Sequence, residues 1–139
     1  MTRSRRQREE LDYLRRLAVH VPNAVERIKL DLLAYTEDEG SQMLFEAAAI
    51  ARNHLPDLSE TRAGETAVAA VRELYEEGLI GFRRISPGDG GGEEELSREE
   101  AMTAIEDEGW HVLPAHPDWS ISFHITQRGC EVLARDWPL

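Results

Sequence analysis

A helix that must stop and a strand that must pair constrain this chain more than any other feature. Residues 66–85 read TAVAAVRELYEEGLIGFRRI. Val68, Val71, Leu74 and Tyr75 recur at helical spacing, which gives one apolar helix face. Gly78 follows as a helix stop, because a residue without Cβ enters the left-handed region unstrained. Ile80 and Phe82 then alternate with Gly81 and Arg83, and the alternation predicts a strand over 80–85. Ile121, Phe123 and Ile125 alternate with Ser122 and His124 in the same way, so 121–125 is the natural antiparallel partner.

The remaining elements follow from spacing and caps. Leu11, Leu14, Leu17, Ala18 and Val21 mark a helix over 9–20 that Pro22 ends. Asn23 with Glu26 is a capping-box pattern opening a helix over 24–35, with Val25, Ile28, Leu32 and Tyr35 inward and Glu26, Arg27, Lys29 and Asp31 left for solvent. Ser41 is the expected cap of a third helix over 43–54, apolar over much of its circumference and therefore central. A fourth helix covers 60–77, with Gly64 weakening its first turns. The Gly/Glu run at 88–95 reads as a flexible loop. Ser97 and Glu100 form a capping box for a helix ending at Gly109. A short strand over 110–113, a turn region over 114–119 and a last helix capped by Thr126 complete the chain.

At 139 residues with 41% hydrophobic side chains, one domain with its own core is expected. No apolar run approaches the ~20 residues of a membrane helix, and no signal core follows the basic start, so a cytoplasmic, membrane-free protein is expected. Cys130 is the single cysteine, which rules out an internal disulfide, and it reads as a small buried residue. The net charge of −11 weakens non-specific attraction to phosphate. Charge is also uneven. Residues 1–16 carry six arginines against three acids, and residues 86–109 carry nine acids against Arg98 alone.

The residues Val71, Leu74, Gly78, Leu79 and Ile80, then Ser97 with Glu100 and Ala101, Trp110, and Thr126 with Gly129, carry a likeness to a known family. Over residues 24–135 the chain resembles a winged-helix domain, most of all the uncharacterised bacterial winged-helix proteins with an extra helix between the wing strands. The resemblance implies an α+β, mostly helical fold: a winged helix with an N-terminal extra helix and an inserted helix between the wing strands. Residues 1–8 would be a flexible basic arm and 9–139 the single winged-helix domain. The helix over 60–77 would be the recognition helix and 80–125 the wing.

Winged helices commonly grip DNA, and here the charge opposes it. The 60–77 helix holds five glutamates against Arg62 and Arg72, and Glu93, Glu94 and Glu95 stud the wing. Phosphate binding releases counterions only when Lys or Arg does the neutralising. Thr61, Arg62 and Thr66 are the residues left to face base edges, Arg83 and Arg84 to touch phosphate, and Arg5 and Arg6 to follow a groove as an arm.

Other candidate sites give way to plainer readings. His111, His116, Asp118 and His124 match no metal spacing and read as loop histidines. Glu106, Asp107 and Glu108 are consecutive on a helix, point in different directions, and cannot form a catalytic dyad. Gly88 to Gly92 lacks the Lys and Ser/Thr of a phosphate loop. Trp110 and Trp137 read as core cover, with Trp119 the third tryptophan of that question. The function expected is therefore non-enzymatic and cofactor-free: a regulatory module that binds a protein partner, a homodimer included. Leu11, Leu14, Leu17 and Val21 are the expected partner or dimer surface, because a leucine stripe needs cover. The alternative is a DNA-binding transcriptional regulator using the arginines and threonines above.

Overall fold

Good helix formers, side-chain caps and left-handed glycines divide the chain into helices and short strands. A computed structural model describes residues 5–85, 92–106 and 120–139, with the backbone alone at positions 6, 7, 44 and 120. Among these residues the order is α1 (Arg5–His20), α2 (Ala24–Glu39), β1 (Gln42–Met43), α3 (Leu44–His54), α4 (Glu60–Glu76), β2 (Ile80–Ile85), β3 (Glu93–Glu95), α5 (Arg98–Glu106), β4 (Ser120–Ile125) and α6 (Gln127–Asp136).

Asn23, Ser97 and Thr126 cap helices as expected, and Ser59 supplies a cap that was not expected. The Asn23 carboxamide accepts the Glu26 N–H at 3.0 Å and the Ser59 hydroxyl accepts the Arg62 N–H at 3.2 Å. Ser97 and Glu100 satisfy one another's backbone N–H groups at 3.1 and 3.2 Å. Thr126 accepts the Gly129 N–H at 3.0 Å and donates its own hydroxyl to the Gly78 carbonyl at 2.7 Å. Gly78 has φ +76°, a conformation that would strain a residue bearing a side chain.

The four strands form one antiparallel sheet in the order β1-β4-β2-β3. Ile80 pairs with Ile125 and Phe82 with Phe123, so the apolar set of both central strands shares one face. That face packs on the helices: Phe82 lies 5.4 Å from the Tyr75 ring and 6.1 Å from the Phe123 ring. Ile28, Leu32, Leu33, Ala47, Ala51, Val71, Leu74 and Ile105 join them in a core spanning α2 to α5, and Leu133 of α6 closes it. Each such large aliphatic side chain stabilises the fold by about 1.5–3 kcal/mol relative to exposure.

Several expectations need correction. The first helix begins at Arg5, so residues 5–8 are helical and the helix starts before the expected Glu9. Arg5 and Glu9, one turn apart, pair at 3.0 Å and extend the helix backwards. Ser41 caps nothing: Gln42 and Met43 pair with β4, and α3 starts after them with Glu46 accepting the Met43 N–H at 3.1 Å. Gly64 does not delay α4, which the Ser59 cap starts at Glu60. Glu93 to Glu95 are no loop but β3, opposite Ile85, Arg84 and Arg83, where opposite charges face one another across the strands. Lys29 and Asp31 are buried, not solvent-facing. The helix end at Gly109, the strand over 110–113 and the turn over 114–119 lie outside the described residues. Among the described residues no helix is long and apolar enough to cross a membrane.

Candidate functional site

The face formed by α4, β2 and β3 is where a nucleic-acid reader would present its cations. Strand alternation sends Arg83 and Arg84 to opposite sides of the sheet, and glutamates hold both. Arg83 meets Glu93 and Glu95, each at 3.2 Å. Arg84 meets Glu94 at 3.6 Å and Glu100 of α5 at 3.3 Å. On α4, Arg72 reaches Glu106 at 3.5 Å. Arg62 is exposed and has no ion pair among the described residues, beside exposed Thr61 and a Thr66 hydroxyl that donates to the Arg62 carbonyl at 2.8 Å. Exposed ion pairs contribute only about 0–1 kcal/mol each to stability. Their consequence here is local charge: Arg83 and Arg84 sit among four glutamates, and Arg72 faces a fifth.

His124 belongs to the same sheet. Gly81 faces it across the strands, and a Cβ at Gly81 would overlap both the His124 ring and the Glu95 carboxylate. The ring therefore lies over Gly81, 3.5 Å from Glu95, with Nδ1 buried and unpartnered. Burial holds the imidazole pKa below its ordinary value, against the opposing pull of Glu95. Among the described residues no group of three His, Cys, Asp or Glu is placed to hold a metal ion. His111, His116 and Asp118 of the histidine set, Trp110 and Trp119, and Asp107 and Glu108 lie outside the described residues. Trp137 packs against the core and 6.0 Å from the Tyr13 ring.

The leucine stripe of α1 turns inward. Leu17 is wholly buried, and Leu11, Leu14 and Val21 are half-buried. Leu17 is thus removed from any external surface, because its own chain already covers it. What α1 shows to solvent is another stripe: Arg8, Asp12, Arg15, Arg16 and Val19, the last 78% exposed. Arg8, Arg15 and Arg16 make no ion pair among the described residues. Arg5 is exposed and tied to Glu9, and Arg6 lies in the first turn.

Two buried polar groups escape a sequence reading. Asp31 of α2, 1% exposed, accepts the Tyr13 hydroxyl of α1 at 2.8 Å on one oxygen and meets His54 Nε2 of α3 at 2.6 Å on the other. Burial, the Asp31 charge and this hydrogen bond all push the Tyr13 phenol well above its usual pKa. The His54 side chain is buried as well, and the trio ties α1, α2 and α3 together, with Tyr13 and Asp31 also lining one of the concavities below. Lys29, also of α2, donates to Glu77 at 2.8 Å with Glu26 and Glu73 at 3.7 and 3.9 Å. Burial lowers the lysine pKa, and the Glu77 bond with the neighbouring carboxylates more than offsets it. The clue to both was spacing: Asp31 lies three residues after Ile28 and four before Tyr35, inside the apolar stripe.

Three concavities accompany these groups. One of about 560 Å³ lies over Lys29, between α2, α4 and α6, with Arg128, Glu131 and Arg135 on its wall. The other two, of about 500 and 570 Å³, share Ala34, Asp38 and Trp137 and so form one groove along α1, α2 and the end of α6. Among the described residues no Lys, Arg or His lines that groove. The chain matches no protein-family model, no curated protein and no solved structure.

Proposed function

We propose that the chain is a winged-helix regulatory module that works by binding another protein, a second copy included, and not by catalysis. The winged-helix reading draws support from the order helix, short strand, two helices and hairpin, with β1 pairing to β4 and β4 to β2. In that reading α4 is the recognition helix, β2 to β4 the wing, α1 the added helix and α5 the inserted one. Fold alone does not give the ligand.

The observation that carries the choice of a protein partner is the double occupation of Arg83 and Arg84 by Glu93, Glu94, Glu95 and Glu100. A polyanion approaching either side of this sheet must displace carboxylates that already hold the guanidinium there, and meets surplus negative charge as it does so. The runner-up, a DNA-binding transcriptional regulator, rests on the exposed Thr61 and Arg62 at the start of α4. The test is a fluorescence-anisotropy titration of labelled duplex DNA at low salt. The wild-type chain is expected not to bind, and the triple change Glu93→Gln, Glu94→Gln and Glu95→Gln to gain salt-sensitive binding. Wild-type affinity that falls steeply with salt and is lost in Arg62→Ala would establish the runner-up instead.

A further inference from the structure

We infer that the groove along α1, α2 and the end of α6 receives the outer face of α1 from a second copy of this chain. The inference rests on the protein-partner reading and names that partner. Its first support is what the groove offers. Trp137 and half-exposed Tyr35 and Leu139 give it an apolar lining, Glu37 and Asp38 stand exposed on its edge, and among the described residues no basic side chain lines it. The carboxylates also sit in the last turn of α2, where unsatisfied carbonyls add partial negative charge. The groove therefore fits a cationic segment with an apolar residue in it.

The chain itself carries such a segment. Arg8, Arg15, Arg16 and Val19 fall along one exposed side of α1, with Asp12 among them and the exposed Glu9 at its margin already paired with Arg5. Arg8 to Val19 spans roughly 16 Å of helix at 1.5 Å per residue. Val19 is the most exposed large apolar side chain among the described residues, and Arg8, Arg15 and Arg16 have no ion pair there to give up. Residues after 16 carry a net −14, since the first sixteen hold six arginines and three acids in a total of −11. A second copy thus presents to this helix the opposite charge over most of its surface. Because α1 also borders the groove through Glu9 and Tyr13, two copies can exchange the same contact about a twofold axis, which closes the assembly at a dimer.

Size exclusion with light scattering on the full chain tests this, over a range of protein concentration and salt. A dimer at low salt that dissociates as salt rises is expected. The pair Arg15→Glu with Arg16→Glu, and separately Glu37→Arg with Asp38→Arg, should each weaken the dimer by at least about tenfold through like-charge contact. Combining all four changes in one chain restores opposite charges and should restore the dimer, with far-ultraviolet circular dichroism verifying the helices throughout. A monomer under every condition overturns the inference, as does a dimer indifferent to both reversals. A monomer that binds an arginine-rich peptide of unrelated sequence also overturns it, and gives the groove to a foreign basic segment. Each of these leaves the protein-partner reading standing, whereas salt-steep DNA binding defeats that reading itself.

Discussion

At the scale of single residues, Asp31 shows how a charge is kept inside this molecule. A buried carboxylate is tolerated only when its oxygens are satisfied, and Tyr13 and His54 do this from two different helices. Removing the carboxylate in Asp31→Ala strands two buried donors and should cost about 2–4 kcal/mol, whereas Tyr13→Phe should cost about 1 kcal/mol. Urea unfolding of the two variants measures both. The Tyr13 pKa is raised on folding, so its contribution is fully present below the unfolded value near 10 and is lost as pH rises above it. Alkaline unfolding between about pH 10 and 12 should therefore be steeper in wild type than in Tyr13→Phe. His124 works in the opposite sense. Its depressed pKa gives stability present above the unfolded value near 6.5 and lost as pH falls. Neither Asp31 nor Lys29 was legible as buried, because side-chain chemistry was allowed to override the helical spacing that places Asp31 on the inner stripe. The partner that makes a charge tolerable lies 18 to 48 residues away and leaves no local mark.

At the scale of elements, the turn at Gly78 and the start of α6 are joined at one point. Thr126 caps α6, donates to the Gly78 carbonyl, and gives its own N–H to Leu79 at 3.0 Å. Gly129 lets the first turn of α6 sit against this junction, for a Cβ there would overlap the Leu79 carbonyl and the Ile125 side chain. Gly129→Ala should destabilise by about 1–3 kcal/mol through overpacking, despite alanine's better helix propensity. Thr126→Ala should cost about 1 kcal/mol for the lost cap. Thermal unfolding of both checks the order. A Gly129→Ala variant as stable as wild type would show that α6 is not so tightly seated. Caps, glycine stops and the long central strands were legible because each is specified within a few residues. The strands β1 and β3 were not. Two residues of β1 hold no period, and β3 is three glutamates whose only reason to be extended is the pair of arginines on β2 opposite them.

At the scale of the whole molecule, charge is sorted by face. Glutamates claim Arg72, Arg83 and Arg84, while α1 keeps Arg8, Arg15 and Arg16 on its outer stripe. The acidity of α4 and the β2–β3 hairpin was readable from composition along the chain. The groove was not, since it is assembled from α1, α2 and the last residues of α6, and the outer stripe of α1 was masked by the more obvious leucines beneath it. Of the leucine stripe, Leu17 holds α1 to its own chain, and the outward side of the helix carries Arg8, Arg15 and Arg16. In the proposed function, contact with a partner lies on α1 and the groove, and α4 with the β2–β3 hairpin repels polyanions. Residue-resolved amide spectra, recorded by nuclear magnetic resonance on dilution and again with added duplex DNA, test both halves at once. The account predicts dilution shifts at Arg15, Arg16, Val19, Asp38 and Trp137, with Thr61, Arg62, Arg83 and Arg84 unmoved by DNA. Movement of those last four together on adding DNA, with α1 silent on dilution, would contradict it.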